Sequence, residues 1–221
     1  LAIEHATFTV PVGSVMGLIG PNGAGKSTII KAGLELMDHT GTVRFFGKPL
    51  GEVRRKVAYM PQVAAVDWDY PITVEQVVTM GMYTELGWLR RANAAHRSRV
   101  MEVLDRVGIA DLAKRQISEL SGGQRRRVFV ARILVQAPEL YLLDEPFAGV
   151  DAASERVIRG VLHELRDQGA TIVIVHHDLS TVAELCDHVT ILNREIIATG
   201  PTSEAFTREN ITKAFGLGLL E

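Results

Sequence analysis

The 221 residues suffice for one domain of ordinary size, or one core carrying a subdomain. With 47% hydrophobic and 23% charged residues the chain can bury a sizeable core, which excludes wholesale disorder. A net charge of -2, from 24 basic and 26 acidic side chains, offers no basic surface and argues against a nucleic-acid partner. In chain order, residues 6–10 read as a loose edge or antiparallel strand, and residues 15–19 as a strand buried on both faces. A glycine-rich turn and a helix follow. Residues 43–46, bounded by Gly41, Gly47 and Pro49, read as a second edge strand, and 57–60 as another buried one. From 62 to 137 the pattern turns helical: Thr73-Val74-Glu75-Gln76 has the form of a capping box, and 94–107 carries apolar residues at helical spacing. Buried strands return at 140–143, 171–175 and 189–192, and 202–215 reads as one or two short helices.

Strands alternating with helices predict an α/β fold with a mostly parallel sheet. The expected organisation is a single domain, with a core from 1–61 and 138–201, a helical subdomain from 62–137 and C-terminal helices over 202–221. No repeat, low-complexity tract or linker divides it. The lone Cys186 cannot close an internal disulfide and suits a reducing compartment. No apolar run approaches the roughly 20 residues that cross a bilayer, and Leu1-Ala2-Ile3-Glu4 lacks the features of a signal peptide. The absence of an initiator Met beside a strand-like start leads to the expectation of further residues upstream.

Gly20-Pro21-Asn22-Gly23-Ala24-Gly25-Lys26-Ser27-Thr28 fits G-x-x-x-x-G-K-[ST] and lies between a buried strand and a helix. Glycines let backbone N–H groups face phosphates, and the helix start adds its positive dipole end. Lys26 is then positioned for the β- and γ-phosphates, and Ser27 for the Mg²⁺ that bridges them. Alone, the motif says only that a nucleoside triphosphate binds. Leu140-Tyr141-Leu142-Leu143-Asp144-Glu145 delivers two carboxylates at a strand's C-terminal end, where α/β sheets place ligands. Asp144 is the candidate Mg²⁺ ligand and Glu145 the candidate base for the attacking water. Taken by itself the segment also reads as a strand ending in acidic turn residues before Pro146.

Leu120-Ser121-Gly122-Gly123-Gln124 opens a further helix, with Ser121 and Gln124 as a capping box and glycines that leave the first turn bare for a second anion. Arg125, Arg126 and Arg127 after it also fit a plain solvated face. With these residues in this order the chain resembles the ABC ATPase family, whose signature reads LSGGQ, over nearly its whole length. The resemblance implies a P-loop NTPase core, an antiparallel edge sheet and a helical subdomain. It further implies that Gln62 contacts Mg²⁺ and the attacking water, that Asp151 is the D-loop aspartate, and that His177 touches the γ-phosphate. It also implies a homodimer in which ATP lies between residues 20–28 of one subunit and Ser121-Gly122-Gly123-Gln124 of the other. ATP and Mg²⁺ are the expected cofactors.

Ala65-Val66-Asp67-Trp68-Asp69-Tyr70-Pro71-Ile72, Met80-Gly81-Met82-Tyr83 and Glu145-Pro146-Phe147-Ala148-Gly149-Val150-Asp151 resemble the manganese, zinc and iron importer branch, manganese foremost. That branch implies integral-membrane permease subunits, an extracytoplasmic metal-binding protein acting indirectly, and a peripheral place on the cytoplasmic face of a bacterial membrane. Trp68 and Tyr70 read either as permease contacts or as packing within the helical subdomain. The seven histidines show no ligand spacing, so the cargo metal is not expected to bind here. The family stacks an upstream aromatic on adenine, and nothing before Phe8 can serve, so that contact is expected before residue 1. Ala148-Gly149-Val150-Asp151 departs from the commoner Ser-x-Leu-Asp. The rival readings are a soluble ABC ATPase unconnected with transport, a P-loop kinase or GTPase, and a nucleotide-sensing module without turnover.

Overall fold

The computed structural model describes residues 3–62, 70–87, 92–176 and 178–216. Its strands are β1 (Val15–Ile19), β2 (Val57–Met60), β3 (Leu140–Asp144), β4 (Thr171–His176), β5 (His188–Leu192) and β6 (Ile196–Pro201). They form one sheet in the order β2-β3-β4-β1-β5-β6, with every pair parallel except β5 and β6. The parallel strands are continuous apolar runs because successive residues enter different cores. Val15, Ile19, Tyr141, Leu143, Ile172 and Ile174 face one cluster. Met16, Leu18, Leu140, Leu142, Val173 and Val175 face the other.

Helix α1 (Lys26–Gly33) follows β1 directly, and α2 (Leu50–Val53) precedes β2. Between β2 and β3 lie α3 (Val74–Thr79), α4 (Tyr83–Leu86), α5 (Ala94–Arg106) and α6 (Gly122–Leu134). The capping box expected at α3 is present: Gln76 N donates to Thr73 Oγ1 and Thr73 N to Gln76 Oε1. Helix α6 packs against α3, α5 and α7 (Ala152–Asp167), which joins β3 to β4. Helix α8 (Val182–Leu185) leads to β5, and α9 (Thr202–Ala205) and α10 (Arg208–Phe215) follow β6.

The two expected edge strands are not strands. Residues 6–10 run straight into Pro11, which has no N–H for a ladder, and Phe8 and Val10 serve only to pack on the second cluster. Residues 43–46 turn back on themselves: Phe45 and Lys48 exchange backbone hydrogen bonds of 2.8 and 3.0 Å around Phe46 and Gly47, both at positive φ. The antiparallel member of the sheet is instead β6, which sequence reading passed over because its half-exposed residues give no apolar run.

Candidate nucleotide-phosphate site

The sheet order sets the site before any side chain does. Ile19 lies beside His176, Val175 beside Asp144, and Leu143 beside Met60, so β2, β3, β4 and β1 end nearly level. Strands about 4.8 Å apart put the four loops that leave them in a row about 15 Å long. Gln62, Glu145 and residues 20–28 all belong to that row. His177 would join it, but it lies outside the described residues, as do Trp68 and the rest of 63–69.

The loop after β1 is wedged into place. A Cβ on Gly20 would sit 2.1 Å from the Leu192 carbonyl oxygen at the end of β5, a contact only glycine permits. From the β5–β6 turn, Arg194 N donates to Ala24 O at 3.0 Å. Gly25, at φ 98, is the N-cap of α1, and no side chain caps that helix start. Its N–H groups and dipole therefore remain available to an anion. Lys26, only 6% exposed, folds across the loop and donates to Gly20 O at 2.7 Å and Pro21 O at 2.9 Å. Burial lowers its pKa, while Glu145 and Asp144 oppose that shift. Two of its three protons are committed, and the third can face a phosphate.

Beside the loop, Ser27 Oγ donates to Asp144 Oδ1 at 2.8 Å. Asp144 is fully buried, and its Oδ2 has no hydrogen-bond partner among the described residues. Burial raises its pKa first, and the Ser27 hydrogen bond pulls the other way. A buried carboxylate with an orphan oxygen next to a hydroxyl suits a hard divalent cation, so the residues fit Mg²⁺. Tyr59 was read from sequence only as a strand residue, yet it lies close enough to feel the Asp144 charge, without hydrogen-bond geometry. Burial and then that charge push its hydroxyl up to about 12. Gln62 Nε2 donates to Glu145 Oε2 at 2.8 Å, bringing together two residues 83 apart in sequence. Glu145 itself has φ 53, a left-handed conformation uncommon outside glycine that aims its side chain off the strand end.

The second expected anion site stands apart. Ser121 caps α6, with Gln124 N donating to Ser121 Oγ at 3.2 Å and Ser121 N to Gln124 Oε1 at 2.9 Å. The box commits those two N–H groups, and Gly122 and Gly123 carry no side chains to cover theirs. A Cβ on Gly123 would lie 2.2 Å from Asp151 Oδ2 and 2.5 Å from Ser154 Oγ, so the helix start rests on the start of α7. Asp151 caps α7: Oδ1 accepts from Ser154 N at 2.8 Å and Oδ2 from Ser154 Oγ at 2.9 Å, and these bonds lower its pKa.

The three arginines after the signature do not form a solvated face. Arg125 donates to the carbonyls of Ile117 and Ser118, and Arg127 to those of Val107 and Gly108. Arg126 is 3% exposed and donates from Nε to Pro146 O at 2.9 Å. Carbonyls in the short turns around α6 collect these guanidinium groups, an arrangement a charge run in sequence does not reveal.

The family model for ABC transporters matches residues 3–148. A manganese transport system ATP-binding protein of Halalkalibacterium halodurans is 48% identical over 214 residues, covering 97% of this chain and 86% of its own length. A zinc transport system ATP-binding protein of Treponema pallidum is 51% identical over 208 residues, covering 94% and 78%. Among solved structures, the chain is similar to a metal-chelate type ABC transporter in an inward-facing conformation, with TM-score 0.85, 26% identity and coverage of 97% of this chain and 82% of that one.

Proposed function

The chain belongs to the ABC transporter family as an ATP-binding, ATP-hydrolysing subunit, and from that premise we propose that it powers the import of a divalent metal. Manganese is the first candidate cargo, with zinc and iron behind it, in keeping with the names of its relatives. One observation carries the reading: Ser27, Asp144, Gln62 and Glu145 converge on the phosphate loop, whereas the Ser121 cap belongs to a different helix start. Each subunit then holds one complete phosphate cradle and one separate signature.

Lys26 binds the β- and γ-phosphates, and the open start of α1 supplies backbone donors. Ser27, Asp144 and Gln62 would hold Mg²⁺, which when bound neutralises charge on the phosphate oxygens. Glu145 orients the attacking water and takes up its proton, and the Gln62 hydrogen bond fixes the carboxylate that does so. His177 contacts the γ-phosphate, and Asp151 lines the dimer contact. In a homodimer, Ser121 of the partner subunit and the glycines after it complete the anion's surroundings. ATP closes the pair, and loss of the γ-phosphate lets it open.

A mostly apolar groove of about 600 Å³, formed by Met80, Tyr83, Leu86, Val100 and Met101 with Glu75, Gln76 and Arg97 also in its lining, supports docking of a permease helix. Met80 and Tyr83 are more than half exposed there, as is Tyr70 nearby in sequence. No described helix is long and apolar enough to cross a membrane, consistent with peripheral attachment at the cytoplasmic face. An extracytoplasmic metal-binding protein would deliver the cargo from the other side. The test is reconstitution with the permease in vesicles, where ATP drives manganese uptake. Glu145→Gln should abolish that uptake, lowering turnover by about 100-fold or more, and trap a closed dimer with ATP bound. ATP turnover without uptake of manganese, zinc or iron would overturn the importer reading.

A further inference from the structure

The turn carrying Glu145 is poorly held by its own backbone. Pro146 has no N–H, Glu145 sits in a left-handed conformation, and the backbone bonds of the turn among the described residues are long ones, Ala148 N to Glu145 O at 3.2 Å and Val150 N to Phe147 O at 3.4 Å. The Arg126 guanidinium adds a polar anchor through Nε to Pro146 O at 2.9 Å, beside the apolar one made by the buried Phe147 ring. It does so from inside the protein, with Nη2 buried and unpartnered among the described residues. Burial brings its pKa down to about 10, against the pull of Glu145 and then Asp144, so it stays charged at neutral pH. A buried cation with one hydrogen-bond acceptor among the described residues costs stability, and its position five residues past Ser121 puts it roughly 7 Å along the same helix.

We infer that Arg126 is a positioning residue for Glu145, tying the signature helix to the turn that carries the base, so that the two move as one piece. The inference rests on Glu145 acting as the base. Helix α6 is then a rigid bar with the Ser121 cap at one end of the connection and the Pro146 carbonyl at the other. A shift of Ser121 therefore displaces the peptide after Pro146, one residue on from Glu145.

The test compares the full chain with Arg126→Gln, which keeps an amide donor but removes the cation, alone and combined with Glu145→Gln. Arg126→Gln should lower kcat by about 10- to 100-fold, as expected for a misplaced base, with ATP affinity by titration and KM unchanged within twofold. On the Glu145→Gln background the same change should leave residual turnover within about twofold, because there is no base left to misplace. Arg126→Lys, which keeps the charge without the fork, should recover part of kcat; if Arg126→Gln fails to fold, it takes over both comparisons with a smaller expected fall. Unchanged kcat in these variants beside an inactive Glu145→Gln would overturn the role of Arg126 alone. So would a loss of ATP affinity instead of kcat, or an equal fold-loss on both backgrounds. Full turnover in Glu145→Gln would overturn the base and the positioning role together.

Discussion

Helices α1 and α6 both start at glycines, and the two starts are finished in different ways. The α1 start enters through Gly25 with no side-chain cap and is held from outside, by Leu192 and Arg194 of the neighbouring hairpin. The α6 start is closed by its own Ser121 and Gln124 and rests on the Asp151 cap of α7. An open start retains unsatisfied donors and takes an anion readily within one subunit. A self-capped start keeps its shape without a ligand and can present bare glycines to an anion that arrives on a second body. On the proposed reading the difference separates binding, assigned to the first end, from recognition that binding has occurred, assigned to the second.

Three substitutions can break or sharpen this contrast. Lys26→Ala should weaken ATP affinity of the isolated subunit by about 10- to 100-fold, since charge-assisted hydrogen bonds are worth about 1.5–3 kcal/mol each. Isothermal titration reads it, and unchanged affinity would remove the open end from nucleotide binding. Ser121→Ala should cost about 1 kcal/mol of stability through the lost cap, lowering Tm by about 2–4 °C. It should leave monomer ATP affinity intact and reduce ATP-dependent dimer in sedimentation; weaker ATP binding by the monomer would merge the two ends into one site.

The smallest effect concerns Asp144, the buried carboxylate beside the open end. Its folded pKa is raised above the ordinary 3.8, so its contribution to stability is full below that value and is lost as pH rises through the folded value. The Tm advantage of nucleotide-free Asp144→Asn over the native chain should therefore grow from acid toward neutral pH, while Mg²⁺-dependent turnover is lost. A constant difference across that range in scanning calorimetry would mean that burial does not penalise the Asp144 charge.

What sequence disclosed was the local structure that needs fixed residue types at fixed spacing. Residues 20–28, Asp144 and the reciprocal Ser121–Gln124 cap stand where spacing put them, and the buried strands were visible as unbroken apolar runs. The Gln62–Glu145 hydrogen bond was not visible, because it joins the ends of neighbouring strands and depends on their register. Residues 6–10 and 43–46 misled because short apolar stretches near Pro or Gly look like edge strands whether or not a neighbour pairs with them. Strand β6 was missed for the converse reason, since it is held by pairing with β5 and not by burial. Sequence left two readings open for the arginines, and the solvated face fails because charge reports solvent only when no backbone carbonyl lies within reach.

The close approach of Gly20 to Leu192 has a mechanical result. Strand β5 carries no residue assigned to the chemistry, yet its last carbonyl sets how tightly the phosphate loop can be drawn in, and the bond from Arg194 fixes the gauge on the far side. The cradle is thus cast against a hairpin that carries none of the motif residues, and remodelling residues 192–195 would change its bore while leaving every motif letter intact.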